Sequence, residues 1–244
     1  MPKTSDSTSS LHHSYATHFS RLNPHDAQLT ISRGFEANIL PWLPPEKDAR
    51  ILEYGCGTGY LLKFLMSMGY TQVEGIDISE SQIEVAHSRG AHNARYLADP
   101  LSWLESKSSL YECIASFDVM EHIPKGLIVP TMKTARRALT LDGVFICRVP
   151  NIAGPLGPTN RYKDFTHETA FTEWSLEQAL EAAGFRDIRI FAETNVYRRK
   201  VVGYCFESVR KIFFLLWRAS CFLQAPGTEI PRIFSKNLYG VGNR

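Results

Sequence analysis

Between residues 53 and 59 the chain reads Glu-Tyr-Gly-Cys-Gly-Thr-Gly. Glycines at 55, 57 and 59 permit a tight turn and let a ligand reach the backbone without interference from Cβ atoms. A carboxylate followed by G-x-G-x-G differs from the G-x-G-x-x-G fingerprint of dinucleotide sites. A dianionic pyrophosphate sits poorly beside Glu53, whereas a ligand carrying a sulfonium and an amino group is stabilised by the same charge. The pattern therefore favours adenosylmethionine over a nicotinamide dinucleotide. Asp77, in Gly-Ile-Asp-Ile-Ser, is placed to accept hydrogen bonds from two ribose hydroxyls. Asp99 is placed to accept from an adenine amino group. Gly55, Cys56, Gly57, Gly59, Ile78 and Phe117 complete the expected cofactor set around Glu53, Asp77 and Asp99.

Methyl transfer from a sulfonium is an in-line displacement in which positioning supplies much of the rate. A hydroxyl acceptor also needs a base to take its proton. The run Arg161-Tyr162-Lys163-Asp164-Phe165-Thr166-His167-Glu168 offers His167, whose ordinary pKa lies near neutrality, with Asp164 to orient it or to bind a hydroxyl. The competing reading ties Asp164 and His167 into loop structure alone. His122 is the rival base, with a structural role at a helix start as its alternative. Tyr15 and His18, in a polar and aromatic leader, are candidates to cover the cofactor, with Tyr15 in the acceptor set.

The elements that must hold these residues read as alternating βα units. Asn23-Pro24 marks a helix start, and residues 50–54, 73–78, 95–98, 111–117 and 143–149 read as five strands. Helices follow at 60–68, 79–89, about 101–104 and 127–139, and a Pro/Gly-rich loop runs from 150 to about 169. Ser79 with Gln82, and Ser175 with Gln178, read as helix-start caps. Two further strands are expected at 186–191 and 236–241. Such alternation implies a mainly parallel sheet with helices on both faces. Ligands in such sheets bind at the carboxyl ends of the strands beside the first one, where the Gly-rich turn falls.

The run Ile51 to Ser79 resembles the first two motifs of class I S-adenosylmethionine-dependent methyltransferases, and the resemblance extends over about residues 49–191. Asp118-Val119-Met120-Glu121-His122-Ile123 is similar to the segment after the fourth strand in the ubiquinone-biosynthesis-like branch. Glu112 departs from that branch, which commonly has Asp opening the fourth strand. Val149-Pro150-Asn151, the run 161–168 and Phe171-Thr172 together resemble a subfamily from polysaccharide and glycan biosynthesis. That resemblance implies a sugar or glycan hydroxyl as acceptor, with Arg161 and Tyr162 contacting it. A quinone-like phenol, with Glu121 and His122 nearer the chemistry, is the alternative acceptor. A non-catalytic adenosylmethionine-binding subunit is the alternative from another class.

The 244 residues carry a net charge of +2, with 44% hydrophobic and 21% charged residues, so composition gives no argument for nucleic acid. Cys56, Cys113, Cys147, Cys205 and Cys221 form no CxxC pair, and no Cys/His cluster has ligand spacing, so no metal site is expected. Residues 1–22 read as a flexible leader with no apolar signal core, and the cytoplasm is the expected compartment. Residues 23–244 read as one domain with a basic, aromatic helical insertion at about 196–223. Its Lys200, Glu207, Lys211 and Arg218 share a narrow stripe beside a wide apolar face. That face is expected to pack on the sheet or on a second copy, or else to meet an anionic membrane.

Overall fold

The computed structural model describes residues 24–197 and 200–244. The leader, with Tyr15 and His18, lies outside the described residues. Helix α1 (Pro24–Asn38) and a short 3-10 turn (Leu40–Trp42) lead into β1 (Arg50–Tyr54). Then follow α2 (Tyr60–Ser67), β2 (Gln72–Asp77), α3 (Glu80–Ser88), β3 (Ala94–Tyr96) and α4 (Pro100–Glu105). The chain continues through β4 (Tyr111–Phe117), a 3-10 turn (Met120–His122), α5 (Lys125–Ala138) and β5 (Leu139–Pro150). It ends with α6 (Gly157–Tyr162), α7 (Glu173–Ala182), β6 (Arg186–Ala192), α8 (Lys200–Gln224) and β7 (Asn237–Asn243).

The seven strands form one sheet in the order β3-β2-β1-β4-β5-β7-β6, with β7 antiparallel to both its neighbours and every other pairing parallel. This is the mainly parallel sheet that the βα alternation predicts, in the Rossmann-like form that the resemblance to class I methyltransferases implies. Strand side chains alternate between two helical layers, as the pleat requires. Ile51, Cys113, Ile146 and Tyr239 pack with Phe35 of α1, Leu62 of α2 and Ile83 of α3. Their neighbours Leu52, Ile114, Phe145, Cys147 and Leu238 pack with Leu104 of α4, Met132 of α5 and Leu176 of α7. The thiols of Cys56, Cys113 and Cys147 are buried, whereas Cys205 and Cys221 lie on α8 with partial or full exposure.

Three local expectations are revised. Ser79 is the N-cap residue of α3 but its side chain makes no cap bond; its hydroxyl pairs with that of Ser81 at 3.1 Å, while Gln82 turns toward Gly57 and lines the ligand cavity. Helix α7 is capped one turn earlier than expected: Thr172 accepts from the Ser175 amide at 3.2 Å, and the Ser175 hydroxyl accepts from the Thr172 amide at 2.9 Å. Thr172 is extended there, the backbone state a cap needs. The Pro/Gly-rich loop also contains α6.

Helix α8 does not lay its apolar face on the sheet. Its seated side runs through Gly203, buried, and Glu207, Arg210, Phe214 and Cys221, half-buried. The Tyr197 hydroxyl donates to Glu207 at 2.9 Å, and the Phe214 ring meets Phe234 at 6.0 Å. Val201, Val209, Ile212, Leu215, Leu216 and Leu223 face solvent, Leu223 with 79% of its surface exposed. No helix among the described residues is long and apolar enough to cross a membrane.

Candidate functional site

A cavity of about 1070 Å³ opens over the carboxyl ends of β1, β2 and β4, where the strand order reverses. The turn after β1 forms its floor. Gly55 and Cys56 donate to the Ile76 carbonyl at 2.8 and 3.0 Å, which locks the turn to the end of β2. Gly55 has φ of +80°, and a Cβ there would collide with Val119 Cγ2. Gly59, at φ +76°, is the N-cap of α2 and lies outside the cavity lining, so its role is to launch the helix. Asp77 accepts from the Gly57 amide at 2.8 Å and from the Ser79 amide at 2.8 Å. Its carboxylate therefore shapes the turn as well as lining the cavity.

Glu53, Cys56, Gly57, Ile78 and Phe117 also line the cavity. Glu53 is buried, and its Oε2 has no hydrogen-bond partner. Burial, reinforced by the nearby Asp77 carboxylate, pushes its pKa well above the usual carboxylate range. A cationic ligand group beside Glu53 would satisfy that oxygen and stabilise its charged form. The glycine cradle and the orphaned carboxylate thus fit the amino-acid end of adenosylmethionine. Asp99 is exposed at the rim and caps α4, accepting from the Ser102 amide at 3.0 Å and its hydroxyl at 2.6 Å, bonds that lower its pKa.

The far wall brings together residues distant in sequence. His122 lines the cavity from the 3-10 turn after β4. The loop after β5 is clamped onto that turn, with the Glu168 and Thr169 amides donating to the Glu121 carbonyl at 2.7 and 3.1 Å. His167 arrives on this loop, buried, with its ring 4.7 Å from that of His122 and edge-on to it. The Thr166 hydroxyl donates to Asp164 at 2.7 Å, so its lone pair receives the His122 Nδ1 hydrogen at 2.9 Å. That chain leaves Nε2 as the unprotonated nitrogen of a neutral ring. Burial and the adjacent His167 hold the His122 pKa down at about 4. Glu121 is buried with Oε2 unpartnered, and desolvation, then Asp118, push its pKa up.

The expected base, His167, does not line the cavity; it stands behind His122. Asp164 likewise acts through Thr166. Arg161 and Tyr162 sit on α6 outside the lining, where Arg161 donates to the Glu168 carbonyl at 3.2 Å and Tyr162 is exposed. Neither reaches the cavity, because α6 turns them away over the loop. The sequence reading missed Asp118 and Arg148, which face the cavity as a salt bridge, with Glu193 4.0 Å from Arg148. Asp118 adopts φ of +57°, a strained state for a residue other than glycine. A lone arginine in the apolar run of β5 was the available signal, since a charge in a buried strand needs a partner.

A family model described as a methyltransferase domain matches residues 25–190. Among curated relatives, the tRNA U34 carboxymethyltransferase of Vibrio cholerae is 28% identical over 165 residues, covering 64% of this chain and 50% of that protein. The ubiquinone biosynthesis O-methyltransferase of Bordetella pertussis is 30% identical over 79 residues, covering 31% of this chain and 32% of that protein. The chain thus spans half the length or less of these relatives. A structure of a SAM dependent methyltransferase from Archaeoglobus fulgidus superposes with a TM-score of 0.66 at 19% identity, covering 89% of this chain and 94% of that one, a likeness of fold.

Proposed function

From a chain that belongs to the methyltransferase-domain family, we propose an O-methyltransferase that acts on a hydroxyl of a sugar or glycan intermediate. The cofactor is S-adenosylmethionine, which supplies an electrophilic methyl group on sulfur. Glu53 holds its cationic amino-acid end, the Gly55–Gly57 backbone cradles it, and Asp77 faces the ribose. Asp99 and Ile78 border the adenine. Phe117 and the Asp118–Arg148 pair wall off the space between the cofactor and the acceptor.

The observation that carries this reading is a single cavity with the Glu53–Asp77 turn in its floor and His122 in its wall. It slightly exceeds the roughly 1,000 Å³ upper range of ordinary small-molecule clefts, which leaves room for a second reactant. The acceptor hydroxyl is activated at the His122 end, with His167, Thr166 and Asp164 positioning that ring. Bound there, the cofactor would supply the methyl group and leave as the neutral thioether, and His122 lies on the side to which the hydroxyl proton would go. Asp118, Thr131, Arg148, Glu193, Asn195 and Lys236 offer donors and acceptors suited to a hydroxyl-rich acceptor. Phe35, Val119, Ile123 and Leu127 in the same lining favour the second reading, a quinone-like phenol. The test is a methyl-release assay against panels of sugar, lipid-linked glycan and phenolic acceptors. Turnover on phenols with none on glycans would overturn the glycan assignment.

The outward apolar face of α8 supports a peripheral membrane contact, which suits a lipid-linked glycan. Lys200, Arg210, Lys211 and Arg218 against the single acid Glu207 make this helix basic, so a second copy would bring like charges together. Co-sedimentation at low salt with vesicles containing an anionic lipid, compared with neutral vesicles, should retain the protein, and Leu216→Glu should weaken retention. A dimer in solution that ignores vesicles would overturn the membrane contact.

A further inference from the structure

We propose that Glu121, His122 and His167 form a binding site for a divalent transition-metal ion. The sequence spacing of these residues shows no ligand motif, because the site exists only where the loop after β5 closes on the turn after β4. One carboxylate oxygen and one nitrogen from each imidazole all lie within 4.8 Å of one another. An ion takes its nitrogen and oxygen donors at about 2.0–2.2 Å, so donors to one ion lie at most about 4.4 Å apart, close to the spacing of this cluster. Two imidazoles and a carboxylate suit zinc, manganese or ferrous ions, and three protein donors leave open positions for an exogenous oxygen.

A second observation points to a ligand independently. Glu121 is 1% exposed, yet its Oε2 has no hydrogen-bond partner. A buried carboxylate oxygen left in this state is costly, and an ion bound there removes the cost. The surroundings also match what ligating histidines require, a partner on the ring nitrogen that does not bind the metal. His122 Nδ1 donates to Thr166, which donates to Asp164, so Nε2 carries the ligand lone pair. The backbone clamp at the Glu121 carbonyl then fixes the His167 loop against the turn.

Ion binding stands on the cluster alone. Its use, which rests on the methyl-transfer reading above, is to bind the acceptor hydroxyl in place of the His122 lone pair and to ease loss of its proton. The full chain, stripped with a chelator and dialysed, would be titrated calorimetrically with Mn²⁺ and with Zn²⁺. One ion per chain is expected, with binding at least about tenfold weaker in Glu121→Gln and in His167→Ala. Circular dichroism and adenosylmethionine titration of each variant report whether it is folded. Failure of the wild type to bind either ion, or equal binding by folded variants, would overturn the site. Ion binding without methyl transfer to any acceptor would keep the site and sink the catalytic reading. Methyl transfer unaffected by the chelator, with no ion bound, would do the reverse.

Discussion

The two ends of the cavity are built by different means. The cofactor end is made within residues 53–79 and mostly from backbone: two amides on the Ile76 carbonyl, two more on the Asp77 carboxylate, and glycines where side chains would collide. The His122 end is made of side chains from two segments, Glu121 and His122 on one and Thr166 and His167 on the other. A shape cut in backbone tolerates change in the residues around it but none in the turn itself. A constellation of side chains can lose its chemistry while leaving the cofactor seat untouched. Binding and transfer should therefore be separable by mutation.

The largest expected separation is at His122. His122→Ala should lower methyl transfer by about 10²–10⁴-fold, the usual worth of help with proton loss from a hydroxyl, with adenosylmethionine affinity nearly unchanged by calorimetry. A matching loss of cofactor affinity would show that the two ends are one unit. The converse variant is Gly55→Ala, which meets both the positive φ and Val119. Strain of ~1–3 kcal/mol corresponds to roughly 5- to 150-fold weaker adenosylmethionine binding. Ion binding at the other end should survive this change, and its loss would break the comparison.

A smaller effect is expected from Thr166→Val, which cuts the link from Asp164 to His122. Turnover should fall by about tenfold, as for other groups that orient an imidazole, and Thr166→Ser should restore it. Rescue by serine separates a hydrogen-bond role from loop packing. The smallest effect belongs to Arg161→Ala and Tyr162→Phe. Both residues lie outside the cavity, so turnover on a small acceptor should change by about twofold or less. A large loss confined to long glycan acceptors would extend the acceptor site over α6, in line with the resemblance that first drew attention to them.

Much of this was legible in the amino-acid order because its causes are local. The five parallel strands, the turn at Glu53–Gly59 and Asp77 at a strand end follow from apolar period, glycine placement and spacing of βα units. Most boundaries moved by a residue or two, whereas β5 begins four residues before the expected start, at Leu139, and the cap of α7 moved to Thr172. Helix α8 was legible as amphipathic, but not in its orientation. Its seated stripe is the narrow one through Glu207 and Phe214, since Tyr197 and Phe234 offer that stripe specific partners.

Fold class and cofactor are written in the amino-acid order, since both are set by short-range geometry and by the chemistry of a contiguous turn. Only the tertiary structure decided that His122, rather than His167, borders the cavity. It alone placed His167 beside Glu121 and His122, and set Arg148 against Asp118. The reason is physical: period and spacing constrain neighbours along the chain. Which loop closes on which strand end depends instead on burial and backbone clamps summed over the whole molecule.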